Sequence, residues 1–192
     1  MKKLLLFTIF FLMILSFSVS AQDINPGEQY GRTLNLGAGI GGYTGKFGTM
    51  MHPMPAFQIN YELQVANSFT LAPMVSFYTC TDRYNCSTIE EPNRYSTYHT
   101  TVVPIGLKGT YYLDELLGAG KDWDFYMAGS IGMLLVDSKL VDGSPLATIN
   151  NNNNNGTVTF DLHIGTEYHI NKTFGIFLDL STGISTIGVA IH

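Results

Sequence analysis

From Thr157 to Ile170 the chain reads T-V-T-F-D-L-H-I-G-T-E-Y-H-I, with apolar residues recurring at every second position. Val158, Phe160, Leu162, Ile164, Tyr168 and Ile170 share one parity with Thr166. Thr157, Thr159, Asp161, His163, Gly165, Glu167 and His169 share the other. Successive side chains of a strand point to opposite faces, whereas a helix repeats its apolar positions at three and four. The stretch therefore predicts a β-strand with one apolar and one polar face. The same alternation predicts strands over Thr33–Tyr43, Pro55–Val65, Phe69–Tyr78, Thr97–Leu113, Trp123–Val136, Thr173–Leu180 and Ile184–His192. Pro73 weakens the third of these, because proline cannot donate to a ladder.

Eight strands follow from this pattern, and their connections are uneven. Those after the first, third and fifth strands are long, and the others are short or moderate. The loop 137–156 holds six consecutive asparagines, Asn150 to Asn155, a polar low-complexity run expected to be disordered. Ahead of the strands, Lys2 and Lys3 precede an apolar run to Phe17 and a Val19-Ser20-Ala21 site, the layout of a cleaved secretory leader. The expected organisation is a leader over 1–21, a lead-in over 22–32 and a barrel domain over 33–192.

Alternation alone leaves open which face is wet. A soluble lipocalin-like ligand-binding barrel would bury the apolar face, and a membrane barrel would expose it. Charged residues make up 13% of the chain, against about a quarter in ordinary soluble proteins, too few to coat a soluble barrel. The polar face is mostly Gly, Ala, Ser, Thr, Asn and Gln, which suits a narrow interior. Tyr61, Phe69, Tyr111, Trp123, Phe125, Tyr168 and Phe174 gather at the short-turn ends, as an interfacial aromatic girdle would. The expected fold is thus all-β: an eight-stranded antiparallel up-and-down transmembrane β-barrel with a polar, side-chain-filled interior. Only closed barrels and helices satisfy their backbone in lipid, and no apolar run beyond the leader is long enough for a helix.

Strand count, loop asymmetry, leader and polar interior together resemble the small eight-stranded bacterial outer-membrane β-barrel proteins. The resemblance implies an outer-membrane location, contact with outer-membrane lipid, and a monomer. It also brings an alternative, since some barrels of this size are lipid-modifying enzymes using His with Ser or Asp near the outer rim. His52 and His99, with Ser96 and Asp82, are the residues here on that side. Barrels of the family usually end on a lipid-facing aromatic residue, whereas His192 falls on the interior parity.

The formal net charge is −5, or −7 once Lys2 and Lys3 leave with the leader, which gives no support for nucleic-acid binding. Cys80 and Cys86 form an even, closely spaced pair in an exported chain, and predict one disulfide closing a small loop. The interior charges predicted are Glu62, Lys108, Asp124, Asp161, Glu167 and Asp179, with His163 and His169. Glu62, Lys108 and Glu167 fall at similar counts from the short-turn rim. They form the expected interior polar cluster, with Lys108 paired to one or both glutamates. His163 and His169 lie six residues apart on one face, about 20 Å at the strand rise, and read as polar filling rather than a shared metal site. No catalytic, cofactor or metal set is predicted. The expected function is a non-enzymatic structural or surface-interaction role, with the exterior loops meeting an extracellular partner.

Overall fold

The computed structural model describes residues 31–42, 54–85, 95–118, 120, 122–143 and 156–192, with 82–85, 95 and 115 described by their backbone alone. Eight strands run in chain order: β1 (Arg32–Gly41), β2 (Met54–Ala66), β3 (Phe69–Asn85), β4 (Tyr95–Tyr112), β5 (Trp123–Asp142), β6 (Thr157–His169), β7 (Phe174–Ser181) and β8 (Ile184–Ile191). One helical turn, α1 (Asp114–Leu117), interrupts the β4–β5 connection and ends at Gly118, whose φ of 61° is the left-handed stop that glycine adopts without strain. Each strand pairs antiparallel with its sequence neighbour, and β1 pairs with β8 to close the barrel. Closure leaves no exposed edge in the paired region, which is what lipid requires of a sheet.

Burial follows the alternation with the sense inverted relative to a soluble protein. Glu62, Lys108, Asp124, Asp161, His163, Glu167 and Asp179 are buried, while Phe160 and Leu162 are each 72% exposed. Leu36, Ile59, Leu107, Ile131, Ile164, Ile176 and Val189 extend the exposed apolar surface around the barrel. A soluble protein does not tolerate a continuous apolar belt of this kind. The lipocalin-like alternative is therefore overturned, and the apolar face meets lipid. On β6 the belt runs from Val158 to Tyr168. Ten strand rises span about 33 Å, and a tilt near 40° gives a height of about 25 Å, that of a barrel's apolar band. At its lower edge, Tyr61, Tyr111, Trp123, Phe125, Tyr168 and Phe174 all face outward, and the Trp123 and Tyr168 rings lie 4.9 Å apart.

The strands differ from the expected ones mainly on the long-loop side. β3 continues to Asn85 and β5 to Asp142, where loops were expected from Thr79 and Asp137. Above the membrane the outward positions turn polar, as at Thr81, Asp137 and Lys139. The two-residue period disappears there although the ladder continues. Pro73 stays inside β3 because the β2–β3 register skips the positions opposite it, between Asn60↔Met74 and Leu63↔Leu71. Pro104 in β4 occupies a similar skip, between Val75↔Ile105 and Tyr78↔Val102.

The interior is not uniformly polar. Ala56, Tyr78, Val102, Leu134 and Ile184 pack as a buried apolar cluster at the long-loop end, with Met54 and Val136 against it. These side chains point into the lumen on that side. Polar contacts fill the remainder down to the short-turn rim.

The leader, the lead-in up to residue 30, the Asn150–Asn155 run and Cys86 lie outside the described residues. Cys80 is buried in β3, and the backbone stays extended from it to Asn85, five residues on. The expected Cys80–Cys86 bridge falls outside the described residues.

Candidate functional site

Inward residues of a narrow barrel come within reach of one another across the lumen, so charges on distant strands can pair. Lys108 on β4 donates to Asp179 on β7 at 2.5 Å, and both side chains are 2% exposed. Asp179 also meets His163 Nδ1 at 2.8 Å and accepts from the Tyr126 hydroxyl at 3.2 Å. The Lys108 ammonium lies 4.8 Å from the centre of the Tyr126 ring, and Ser130 bonds His163 Nε2 at 3.1 Å. A buried ammonium thus faces a carboxylate that is itself held on both oxygens, which a buried ion pair needs to offset desolvation.

Glu62 is not the partner of Lys108. Its carboxylate accepts from Asn35 Nδ2 at 3.0 Å, Thr70 Oγ1 at 2.7 Å and the Tyr112 hydroxyl at 2.8 Å. Tyr112 and Tyr126 meet edge to face at 5.9 Å, which joins the Glu62 and Lys108 groups into one filled layer. Tyr126 fits because it lies over Gly165, where a Cβ would overlap its ring. Glu167 is also apart from Lys108 and accepts from His192 Nε2 at 2.7 Å. The expected Glu62–Lys108–Glu167 cluster is therefore replaced by three separate carboxylate environments. Barrel strands are staggered, so residues at equal counts from the rim do not sit opposite each other.

A second group occupies the short-turn rim. His169 Nε2 meets Asp124 Oδ2 at 2.7 Å, and His169 Nδ1 lies 3.8 Å from Glu167 Oε1. His192 follows β8 on the inner face, as its parity predicts, and its Nδ1 lies 3.0 Å from Thr33 Oγ1. The two imidazole rings are 4.9 Å apart. His163 and His169 belong to different groups, consistent with their spacing. The proximity of His169 to His192 was not legible, because the two sit on strands separated by β7 and meet only through the β6–β7 and β7–β8 registers.

Of the four outer-rim residues, only Ser96 and His99 have side chains among the described residues. His52 and the Asp82 side chain lie outside the described residues. Ser96 is buried on the inner face of β4, whereas His99, three positions on, is exposed and lies 3.3 Å from Thr81 Oγ1. Odd spacing on a strand sends the two to opposite faces, so His99 cannot act as base to Ser96.

No protein-family model and no curated protein sequence matches the chain. Solved structures with a similar fold include Ail, the attachment invasion locus protein of Yersinia pestis. In complex with the heparin analogue sucrose octasulfate it is 9% identical, with a TM-score of 0.43, and 83% of this chain and 95% of that one are covered. A second structure of Ail is 8% identical, also with a TM-score of 0.43, and the coverages are 85% and 99%. No residue role is carried across at this similarity. The chain forms a closed eight-stranded, all-antiparallel transmembrane β-barrel with a mainly polar interior.

Proposed function

We propose that this is an exported outer-membrane barrel with a non-enzymatic, surface-interaction role, acting as a monomer through its exterior loops. The carrying observation is the tall wall of β3, β4 and β5, which have 17, 18 and 20 residues. A membrane-spanning strand needs about 9–11 residues, so these three project well past the lipid on the long-loop side. There they form a water-facing sheet that carries the Lys139–Asp137 ion pair and leads into the loops 86–94 and 143–156. Long loops outside and short turns inside are the arrangement of bacterial outer-membrane barrels. A lumen lined by buried, contacting side chains and the opposed faces of Ser96 and His99 favour display over transport or catalysis.

Cell fractionation with heat-dependent gel migration tests the location. The protein should appear in the outer-membrane fraction and shift on boiling, and recovery in a detergent-free soluble fraction refutes the reading. Replacing 86–94 and 143–156 by Gly/Ser linkers should abolish cell attachment to protein- or glycan-coated surfaces while the heat shift persists. A changed lipid profile in cells carrying the wild-type protein would instead establish the lipid-modifying alternative.

A further inference from the structure

The rim cluster has more in common with a ligand set than with a simple ion pair. We infer that Glu167, His169 and His192 form a binding site for a divalent transition metal of the zinc class at the short-turn mouth of the lumen. One ligand atom from each of the three lies within 4.8 Å of the others. Tetrahedral zinc with arms of about 2.0–2.1 Å sets its ligand atoms roughly 3.3 Å apart, so closure needs only small side-chain rotations. Two imidazoles and a carboxylate favour late first-row metals over calcium or magnesium, which take oxygen ligands. The fourth position is left to water or an incoming group.

The outer contacts support the assignment independently. Each histidine turns one nitrogen toward Glu167 and has the other fixed by a protein partner. His169 Nε2 is held by Asp124 at 2.7 Å, and His192 Nδ1 by Thr33 at 3.0 Å. Such partners fix ring orientation and tautomer, and a carboxylate partner raises ligand basicity. With both imidazoles neutral, one divalent ion balances the charges of Glu167 and Asp124.

The backbone also makes room for the set. Glu167 on β6 must reach across β7 to His192, which follows β8. At that crossing stand Gly175 and its β8 partner Ala190. A Cβ at Gly175 would overlap the Glu167 carboxylate. His169 and His192 side chains are 15% and 16% exposed, so an ion can enter from the rim.

The test uses the full mature chain without an affinity tag, refolded in detergent and titrated with zinc against a chromophoric chelator. One equivalent should bind per chain. Cobalt in its place should give the intense visible absorption of a four-coordinate site. His169→Gln and His192→Gln should each weaken binding by at least about 100-fold, and Asp124→Asn by about 10–100-fold. Gly175→Ala should also weaken it, whereas His99→Gln should leave it unchanged. Heat-dependent migration verifies that each variant is folded. Absence of stoichiometric binding, or equal binding in the folded His169/His192 double variant, overturns the assignment.

Discussion

Replacing Lys108 with Met keeps most of the side-chain volume over the Tyr126 ring and removes only the charge. At the observed 2.5 Å and an effective dielectric constant of about 20, the attraction to Asp179 is about 6.6 kcal/mol. Desolvating two buried ions costs several kcal/mol, and removing one partner of a buried pair typically destabilises by about 3–5 kcal/mol. Asp179 keeps His163 and Tyr126 in the variant, so the expected loss is at the lower end, about 3 kcal/mol. Equilibrium urea unfolding in lipid vesicles measures it, followed by the fluorescence of Trp123, the single tryptophan of the chain. Adding Asp179→Leu to the Lys108→Met background should recover much of the loss, since it removes the stranded carboxylate. In a double-mutant cycle Lys108→Met and Asp179→Asn should be coupled, while Lys108→Met and Glu62→Gln should add independently. Additivity of the Lys108 and Asp179 changes within about 0.5 kcal/mol would refute the pairing, as would coupling to Glu62 or Glu167 in its place.

Two further outcomes follow from the inverted barrel. Leu162→Arg on the lipid face should destabilise by about 2–4 kcal/mol. Its neighbour Asp161→Asn faces the lumen and the Thr182 hydroxyl at 3.2 Å, and should cost no more than about 1.5 kcal/mol. Reversal of that order in vesicle unfolding would place the lipid on the wrong face. In planar bilayers the reconstituted protein should show no conductance steps, because inward side chains such as Tyr78 and Leu134 pack together in the lumen; regular unitary openings would contradict a packed lumen.

The strands within the membrane were legible because lipid outside and a tight lumen inside impose opposite demands on alternate residues. Phe160 against Asp161 shows this most plainly. The upper halves of β3 and β5 were not legible, since above the lipid the outer face carries polar residues such as Thr81, Asp137 and Lys139 and the inner face some apolar ones, so the period fades. The inward apolar cluster was missed for a related reason. Val102 and Leu134 carry inner parity, but a membrane barrel's inner face is expected to be polar. Within the site, burial of Glu62, Lys108 and Glu167 followed from parity, but their partners did not. Asp179 meets Lys108 across the lumen, and Asp124 and Thr33 meet their histidines through the register of adjacent strands.

From Thr157 to His169 the sequence by itself determined a strand, its two faces and, with the charge-poor composition, the solvent each face meets. These are local properties, set by the direction in which each side chain leaves the backbone and by the cost of exposing it to water or lipid. Tertiary structure decided which polar groups meet: Lys108 with Asp179, Glu62 with Tyr112, and His192 with Glu167 and His169. Those contacts depend on the shear with which eight tilted strands close, a property of the whole barrel that no single strand encodes.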